Sequence, residues 1–366
     1  MTREDTALEP IRTRIDAIDE ELQKLLNERA SLALDVGKIK QATPGDEVPV
    51  FYRPEREAQI LTRLKERNAG PLSDNDMAHL FREIISCCLN LEQPLTIAYL
   101  GPSGTYTEAA AIKQFGHFAS MRSLTAIDEV FREVESDNAH YGVVPVENST
   151  EGMVNHTLDC FIGCSPDLRI CAEVELAIHH AFLLNVHHEG EIREIVSHSQ
   201  SLAQCRRWLD ANYPGVSRRD CASNSEAARE AAADPAIAAV AGATAAERHG
   251  LRVAAANIED QAYNKTRFLV VGKQYVGHSG RDKTSLLVST RNEPGALFRV
   301  LGPFHKHEIS LTRIETRPAR SGDWSYVFFI DFHGHQGDES VGKVLEEIGE
   351  VALEVRTLGS YPQAVI

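Results

Sequence analysis

The first 93 residues carry one continuous pattern of apolar positions at helical spacing. Apolar side chains recur every three or four residues at Ile11, Ile15, Ile18, Leu22, Leu25 and Leu26. The stripe continues through Ala33, Val36 and Ile39, which predicts a helix of about 30 residues. A helix of that length is typical of a bundle or a dimer of long helices.

Two shorter helices follow in the same segment. Pro44-Gly45-Asp46 is expected to end the first helix. A second helix is predicted from about Pro54 to Arg67, because proline is tolerated near a helix start. Ser73 is expected to cap a third helix that has acidic residues in its first turn and reaches about Leu91. Residues 1–93 are therefore predicted to form an all-α domain.

The apolar pattern changes period at Leu95. The β-type run Thr96–Leu100 is followed by a glycine turn and a predicted helix, Thr107–Phe115. Strand and helix patterns alternate afterwards, at Tyr141–Pro145, Glu194–Ser197, Leu202–Leu209 and Ile237–Ala241. This alternation predicts a mainly parallel α/β sheet over residues 95–274. The length of the region suits two lobes, and small-molecule sites usually lie between lobes.

The last segment predicts a ferredoxin-like module over residues 282–366, after a linker at Val276–Arg281. Its predicted order is βαββαβ: Thr284–Thr290, a helix from about Pro294, Ile309–Glu315, Trp324–Phe332, a helix near Glu339–Ile348, and Ala352–Leu358. The fold class predicted for the whole chain is thus multidomain, with all-α, two-lobed α/β and ferredoxin-like parts.

Composition narrows the function. The net charge of −15 and pI of about 5.5 argue against nucleic acid or an anionic membrane as a partner. No apolar run reaches the roughly 18 residues that a membrane helix needs, and Met1–Asp5 lacks the apolar stretch of a signal peptide. We therefore predict a cytoplasmic protein with reduced cysteines.

Metal and cofactor sites are not expected. Cys160 and Cys164 lack a second pair at metal spacing. His179-His180 and His187-His188 lack a carboxylate at ligand spacing, so they are interpreted as ordinary core or surface histidines. The chain shows no nucleotide motif, and the predicted cofactor is none.

Three polar segments of the α/β region stand out. Asn264–Phe268 puts an amide, a hydroxyl and two cations into five residues, a set that could hold an anion and hydrogen-bond a leaving group. Gly101–Tyr106 and Pro145–Gly152 each follow a predicted strand. Alone, each segment is interpretable as an ordinary polar turn. Together and in this order, they resemble the prephenate dehydratase family.

The flanking segments extend the resemblance to nearly the whole chain. The helical segment resembles the helical chorismate mutases, and the last segment resembles the phenylalanine-binding ACT domains. The combination is similar to the bifunctional P-protein family. The resemblance implies conversion of chorismate to prephenate and then to phenylpyruvate, with feedback inhibition by L-phenylalanine.

Cations of the first helix suit an anionic substrate. Arg29 and Lys40 are 11 residues apart, so they lie about 20° off a shared face and roughly 16 Å apart along the axis. Arg12 lies roughly 26 Å from Arg29 along the same helix. Arg12 is therefore either part of a solvated charged face or a contributor to a site on a partner chain.

The mutase resemblance assigns residues to these positions. It implies that Arg12 crosses from the partner protomer, whereas the in-chain ligands are Arg29, Lys40, Arg56, Glu57, Cys88 and Glu92. Lys40 and Glu92 would donate to the ether oxygen of chorismate as negative charge builds there. The residues Arg53 and Cys88 depart from the family pattern, so a dehydratase with weak or lost mutase activity is the second interpretation.

Glu92 stands where the family often has glutamine. A glutamine donates a hydrogen bond at any pH, whereas a carboxyl donates only when it is protonated. We therefore expect the mutase activity to fall as pH rises and Glu92→Gln to flatten the profile.

The dehydratase resemblance also implies roles. Thr266 would hydrogen-bond the leaving hydroxyl or relay a proton, and Glu147 would be the ultimate acid if burial keeps it protonated. The expected positioning residues are Asn148, Ser149 and Gln200, and Arg267 is the expected carboxylate partner. Backbone N–H groups at Ser103, Gly104 and Thr105 would bind a carboxylate.

Two turns of the last segment resemble the paired elements that bind phenylalanine between ACT domains. They consist of Asn292, Gly295, Ala296 and Leu297, and of Glu315, Thr316, Arg317 and Pro318. Ordinary turns are the alternative. The expected assembly is a homodimer or homotetramer. A non-catalytic amino-acid-binding regulator remains the alternative from another class, and arogenate remains open as an additional substrate.

Overall fold

The computed structural model of the chain describes residues 3–42, 50–318 and 326–365. The predicted helix break at Pro44-Gly45-Asp46 and the strand start at Trp324 lie outside the described residues.

The first segment contains three helices, as predicted: α1 (Arg3–Ala42), α2 (Pro54–Arg67) and α3 (Asp74–Glu92). α1 has 40 residues rather than about 30, and it spans about 60 Å. α2 begins at Pro54, where the missing N–H removes no intrahelical bond. The Ser73 hydroxyl accepts from the Asp76 N–H and caps α3.

The apolar stripe of α1 is largely uncovered within one chain. Its six leading residues are 42–57% exposed: Ile11, Ile15, Ile18, Leu22, Leu25 and Leu26. Only the C-terminal part of α1 approaches α3 closely, where a Cβ at Gly37 would lie 3.4 Å from the Glu92 Cα. An amphipathic helix normally buries such a stripe, so the fold of a single chain leaves this surface unfinished.

The middle segment alternates strands and helices over two lobes. In chain order its elements are β1 (Thr96–Leu100), α4 (Tyr106–Phe115), β2 (Ser120–Leu124), α5 (Ile127–Glu135), β3 (Tyr141–Asn148), β4 (Gly152–Met153), α6 (Asn155–Gly163), β5 (Arg169–Ala177), β6 (Ala181–Asn185), β7 (Glu194–Ser197), α7 (Ser199–Gln204), α8 (Arg206–Asn212), β8 (Ser217–Asp220), α9 (Asn224–Ala233), β9 (Ile237–Ala241), α10 (Ala243–His249), β10 (Leu251–Ala255) and β11 (Lys265–Gly272).

Each lobe has its own sheet. The first has the order β2-β1-β3-β11-β5, with β4 beside β3, and the second has the order β10-β6-β9-β7-β8. The prediction of a mainly parallel sheet is wrong. β11 runs antiparallel to β3 and β5, and β6 runs antiparallel to β9 and β10. The cause in the first lobe is topological, since β11 returns from the second lobe and enters the sheet in the reverse direction.

The two crossings between the lobes lie side by side. Ile178 follows β5 and Asn264 precedes β11, and the Ile178 N–H donates to the Asn264 carbonyl over 2.8 Å. The cleft between the lobes therefore opens directly beside the start of β11. The predicted helix Leu202–Leu209 is divided into α7 and α8, because Cys205 leaves the helical conformation with φ −110° and ψ 13°.

The last segment forms the predicted βαββαβ module. Its elements are β12 (Asp282–Thr290), α11 (Ala296–Lys306), β13 (Leu311–Pro318), β14 (Tyr326–His333), α12 (Glu339–Val351) and β15 (Glu354–Pro362). The antiparallel sheet has the order β13-β14-β12-β15. Both helices pack on one face of it, where Val300 and Phe304 of α11 and Ile348 of α12 share a core with Leu286 of β12.

The module packs tightly against the first lobe. A Cβ at Gly359 in β15 would lie 2.2 Å from the Ile170 carbonyl oxygen in β5, so the close approach of the two backbones requires glycine. The predicted linker is also docked, because Val276 is 5% exposed and its carbonyl lies 2.9 Å from the His335 Nε2. The sheet of the last module and the first lobe thus share an interface.

No two cysteines of the described residues form a disulfide bond. In the described ranges, no helix is both long enough and apolar enough to cross a membrane.

Candidate active sites and effector site

A cleft of about 440 Å³ separates the two lobes of the middle segment. Asn148 and Thr266 lie on one wall, at the ends of the neighbouring strands β3 and β11, where they face each other in register. Gln200 and Gln204 of α7 lie on the opposite wall, and His180 lines the cleft beside the crossing. The structure therefore brings the predicted residues Thr266, Asn148 and Gln200 to one cavity.

Hydrogen bonds orient the Asn148 and Thr266 side chains. The Asn148 Oδ1 accepts from the backbone N–H groups of Thr150 and Glu151 at 2.9 and 3.1 Å, so its amide nitrogen turns to the cleft. That nitrogen donates to the Asn264 Oδ1 at 3.0 Å and to the Thr266 Oγ1 at 2.8 Å. Because the Thr266 oxygen accepts, its own proton is oriented away from Asn148 and is available to a ligand.

Hydrogen bonds also connect Asn264 to residues of the second lobe. The Asn264 Nδ2 donates to the Gln204 Oε1 at 3.1 Å, and the His180 Nε2 lies 2.8 Å from that same oxygen. The oxygen can only accept, so the His180 Nε2 carries a proton. The His180 Nδ1 lies 2.9 Å from the Tyr106 hydroxyl. A continuous series of hydrogen bonds therefore joins Thr266 to Tyr106 across the cleft.

Burial sets the protonation of this series. Burial lowers the pKa of His180, while the Gln204 hydrogen bond and the Glu259 carboxylate oppose the shift. His180 is therefore neutral at pH 7. Burial also raises the pKa of Tyr106, which keeps its hydroxyl protonated. The Gln204 amide nitrogen is buried and has no hydrogen-bond partner among the described residues, so it is a donor available to a ligand.

No lysine or arginine lines the cleft among the residues that the structure describes. Instead, the N-terminal ends of three helices of nine or ten residues point at it. Thr105 precedes α4, Val154 precedes α6 and Ser223 precedes α9, and all three residues line the cavity. Helix N-termini carry partial positive charge and attract carboxylates, so the cleft is suited to an anion without a nearby cation.

The turn at residues 103–105 is only partly arranged as expected. The Gly104 N–H is used by the Glu108 carboxylate, and the Ser103 Oγ lies 2.9 Å from the Tyr99 hydroxyl. The Thr105 Oγ1 accepts from the Glu108 N–H and caps α4. The prediction of a carboxylate site at the Gly104 N–H is therefore wrong, although Gly104 and Thr105 both line the cleft.

Two residues expected in the site lie on the other side of the sheet. Successive side chains of a strand point to opposite faces, so Glu147 and Arg267 face away from their neighbours Asn148 and Thr266. The Glu147 carboxylate pairs with Arg313 at 3.2 Å, and Arg267 pairs with Glu173 and Asp331 at 2.8 and 2.7 Å. Glu147 as the acid and Arg267 as the substrate's carboxylate partner are therefore contradicted by the structure.

Ser149 supports the cleft from outside. Its hydroxyl accepts from the Lys265 N–H at 2.9 Å, and its own N–H donates to the Lys265 carbonyl at 2.9 Å. These bonds attach the end of β3 to the start of β11, next to the Asn148–Thr266 pair.

Part of a second site lies between α1 and α3. The Lys40 Nζ is 3.2 Å from the Glu92 Oε2 and also donates to the Phe51 carbonyl at 3.2 Å. One turn before Glu92, Cys88 is buried in α3, and the Arg29 guanidinium reaches the Ile84 carbonyl at 3.5 Å. In this interhelical seam the structure therefore brings Lys40 to Glu92 and Arg29 to the backbone of α3, with Cys88 one turn before Glu92 on the same helix.

The other predicted mutase ligands do not join this seam within one chain. Arg12 is exposed about 26 Å along α1 from Arg29, and Arg56 is exposed on α2. Glu57 is 7% exposed and pairs with Arg82 at 2.7 Å, against the α/β segment. Burial raises the pKa of Glu57 and Arg82 opposes the shift. The structure thus places Glu57 at a domain contact, away from Lys40.

The two predicted effector elements meet at one end of the ACT-like sheet. Tyr326 of β14 pairs in register with Thr290 at the end of β12 and with Pro318 at the end of β13. The turn at Asn292 and Gly295 follows β12, so it lies at the same end as Glu315–Pro318. Gly295 has φ +78°, which favours glycine, and Leu297 is 38% exposed. The Arg317 guanidinium is already paired with Asp159, at 2.8 Å.

Comparisons with known proteins cover all three segments. Family models match chorismate mutase type II over residues 11–93, prephenate dehydratase over residues 97–275 and the ACT domain over residues 284–350. The bifunctional chorismate mutase/prephenate dehydratases of Stutzerimonas stutzeri and Pseudomonas aeruginosa are 54% and 53% identical, each over 98% of both chains. The chain belongs to this bifunctional family.

A solved structure agrees with the fold of the second and third segments. The prephenate dehydratase of Arthrobacter aurescens in complex with L-Phe is 33% identical, with a TM-score of 0.68, over 74% of this chain and 90% of that chain.

Four residues of the dehydratase cleft were not predicted from the sequence: Tyr106, His180, Gln204 and Asn264. Tyr106 and Asn264 lie in the polar segments Gly101–Tyr106 and Asn264–Phe268, but neither residue has a predicted role of its own. Gln204 follows Gln200 by one helical turn, a spacing that places both on one face of α7. His180 is interpreted from the sequence as an ordinary core or surface histidine, because the His179-His180 pair has no carboxylate at ligand spacing. In the structure, His179 pairs with Glu259 and His180 lines the cleft.

Proposed function

We propose that this bifunctional enzyme isomerises chorismate in the seam around Lys40 and Glu92 and dehydrates prephenate in the cleft around Thr266. The enzyme carries both activities of its family. The Asn148–Thr266 pair is the observation that supports the dehydratase assignment most directly, since it leaves the threonine proton available at the wall of the cleft.

The mutase reaction is a rearrangement within one molecule, so it needs no nucleophile. One bond to the ether oxygen breaks as a carbon–carbon bond forms, and negative charge builds on that oxygen. Lys40 is placed to donate to it, and Arg29 is placed to hold a carboxylate. The protein's contribution is to select the compact reactive conformer of the dicarboxylate.

The dehydratase reaction removes carbon dioxide and water from prephenate. The electron pair of the breaking carbon–carboxylate bond enters the ring, and the ring hydroxyl leaves with one added proton as water. Thr266 donates a hydrogen bond to the leaving oxygen. Since a hydroxyl is a poor acid at neutral pH, Thr266 positions and stabilises that oxygen and does not supply the added proton itself.

Substrate anchoring follows from the charges around the cleft. Prephenate carries two carboxylates, and the helix N-termini of α4, α6 and α9 replace the arginine that the sequence suggested. The unpartnered Gln204 amide nitrogen supplies a further donor. This arrangement orients the departing carboxylate and hydroxyl without a cation that would stabilise the carboxylate against loss.

We further propose that two chains pair through the α1 stripe. The stripe is apolar and exposed, and Arg12 lies too far from Arg29 for one ligand to reach both. Pairing would bring Arg12 to a partner's seam. Cytoplasmic location and the choice between dimer and tetramer stay predictions.

Phenylalanine is the proposed inhibitor. The exposed turn at Gly295 and the end of β13 lie together, as two elements of one binding site would. Phenylalanine would inhibit the dehydratase by binding a low-activity state more tightly than the active state, and the difference in affinity would set the extent of inhibition.

Paired lesions test the two site assignments. Chorismate is incubated with the protein, and prephenate and phenylpyruvate are separated by chromatography. Thr266→Val should reduce phenylpyruvate formation by about 100-fold or more while prephenate accumulates. Lys40→Met should stop prephenate formation, yet it should leave turnover of added prephenate unchanged. Loss of both activities in either variant would contradict the separate assignment.

A non-catalytic regulator is the remaining alternative from the sequence. It predicts no turnover of chorismate or of added prephenate by the unmodified protein in the same assay.

A further inference from the structure

The cleft residues of the dehydratase and a set of charged residues lie on opposite faces of the same two strands, and the charged residues face the ACT domain. Thr266 and Asn148 pair in register across β11 and β3, and the next pair along these strands is Arg267 with Glu147. Strand alternation sends the first pair to the cleft and the second to the opposite face. Any displacement of Arg267 or Glu147 therefore moves backbone that carries a cleft residue.

Side chains of the ACT domain hold both charged residues. The Arg267 Nη1 donates to the Asp331 Oδ2 of β14 at 2.7 Å, and its Nη2 donates to the Tyr361 hydroxyl of β15 at 2.9 Å. The Arg313 Nη2 of β13 lies 3.2 Å from the Glu147 Oε2 and 3.4 Å from the Asp331 Oδ2. The Arg313 Nη2 thus lies near the Glu147 carboxylate of β3 and near the Asp331 carboxylate, which binds Arg267 of β11.

The network is charged and closely paired. Burial raises the pKa of Asp331, but the guanidinium groups of Arg267 and Arg313 and the Ser285 hydroxyl outweigh burial, and the pKa lies below its ordinary value. Glu173 adds a second carboxylate on Arg267 and is itself bound by Lys283 at 2.8 Å. Removing one partner from such a buried set leaves a charge uncompensated, so the set holds a defined geometry.

β13 connects this network to the proposed effector site. Arg313 is the third of the eight residues of the strand, and Glu315–Pro318 form the end that adjoins the Gly295 turn. β13 is an edge strand with β14 as its one neighbour in the described sheet, so it can shift more easily than the central strands. A ligand that binds at its end would therefore act on Arg313 through a single strand.

We propose that Arg313 is a positioning residue through which the ACT domain controls the dehydratase. It acts through Glu147 and Asp331 on the backbone of residues 147–148 and 266–267, and it touches no substrate. The proposal rests on the proposed binding of phenylalanine at the ACT domain. A shift of β13 changes how Arg313 divides its guanidinium between the two carboxylates, and this changes the Asn148–Thr266 geometry.

The test uses the full-length protein and three variants. Arg313→Ala removes the connection, whereas Arg356→Ala is the matched control. Arg356 is also an ACT arginine that binds the dehydratase, but it donates to the carbonyls of Phe161 and Ser165 at 3.2 and 2.9 Å, away from the catalytic strands. Gly295→Val disrupts the effector turn. Phenylalanine binding is measured by calorimetry, and kcat and KM for prephenate are measured with and without phenylalanine.

Arg313→Ala should still bind phenylalanine, while the inhibition should weaken by about tenfold or more. Its kcat without phenylalanine should change more than its KM. Arg356→Ala should keep wild-type inhibition, and Gly295→Val should lose both binding and inhibition. Wild-type inhibition in Arg313→Ala, or an equal loss in Arg356→Ala, would overturn the proposal.

Glu147→Gln provides a second test of the same contact if Arg313→Ala does not fold. Glu147→Gln removes the charge that Arg313 holds while keeping nearly the same shape, so it should also weaken inhibition. Arg313→Lys and Glu147→Gln/Arg313→Lys are measured beside Glu147→Gln, and the two changes should not add, because they act on one contact. Full additivity would overturn the proposal. Failure of the unmodified protein to bind phenylalanine would instead remove the effector assignment on which it rests.

Discussion

The two catalytic regions of this enzyme differ in how much of each site one chain supplies. The dehydratase cleft is enclosed by one chain, and hydrogen bonds of 2.8–3.1 Å join Thr266, Asn148, Asn264, Gln204 and His180 within it. The mutase seam brings Lys40 to Glu92, but Arg12 and the apolar stripe of α1 face solvent. Within one chain the α/β fold encloses its cleft, whereas the long helix α1 leaves both its apolar stripe and Arg12 exposed.

The largest effect is expected from blocking the proposed pairing of two α1 helices, which should affect the mutase and not the dehydratase. Ile18→Asp/Leu22→Asp places two charges on the stripe and should prevent two α1 helices from packing, because a buried unpaired carboxylate is costly. Mutase activity should fall by about 100-fold or more, since the proposed delivery of Arg12 to a partner's seam would be lost. Dehydratase activity on added prephenate should persist.

Sedimentation of the same variant should show a smaller assembly than the wild type. Glu20→Gln on the polar face of α1 is the control, and it should leave both assembly and mutase activity unchanged. A fully active mutase in the double variant would show that one chain suffices.

A smaller effect is expected from His180, which tests whether the cleft is preorganised within the chain. His180→Leu removes the donor to Gln204 and should lower kcat by about tenfold, the size of a lost buried hydrogen bond. His180→Gln can donate from its amide and should recover part of the rate. Mutase activity should not change in either variant.

The pH profile of the dehydratase tests the direction of the His180 pKa shift. Since burial lowers the pKa of His180 from about 6.5, the imidazole stays neutral as pH falls through that value. The wild-type dehydratase profile should therefore show no break assignable to His180 near pH 6.5, and such a break should appear only at lower pH. A break at 6.5 that vanishes in His180→Gln would contradict the burial argument.

The smallest expected change concerns Glu92 in the seam. A carboxyl donates a hydrogen bond only when it carries a proton, so mutase activity is expected to be lower at high pH than at low pH. Glu92→Gln donates at every pH and should give a flatter profile, measured as initial rates of prephenate formation. Equal profiles for the two proteins would remove this role from Glu92.

Local patterns predicted most of the secondary structure. The stripe of α1, the proline at the start of α2 and the Ser73 cap each depend on neighbouring residues, and the structure confirmed all three helices. The βαββαβ order of the last segment was likewise predicted from the change of apolar period. The mainly parallel sheet was wrong, because strand direction depends on where β11 re-enters the sheet and not on its own residues.

Some site residues are predictable from local sequence, whereas others depend on strand register or on contacts between distant segments. Thr266 and Asn148 were predicted from their segments and do line the cleft. Glu147 and Arg267 come from those segments too, but a shift of one residue in a strand reverses the face that a side chain occupies. His180 and Gln204 carry no local signal strong enough to assign, since hydrogen bonds between distant segments bring them to the site.

The sequence alone determined the three domains, their order and the family, because each depends on periodicity or on short polar segments. Only the tertiary structure decided which carboxylates and guanidinium groups meet. The Arg267–Asp331 and Arg313–Glu147 pairs join residues 64 and more apart in the chain. Such pairs form only when two sheets pack face to face, and that packing converted two presumed substrate residues into the contact between catalytic lobe and ACT domain.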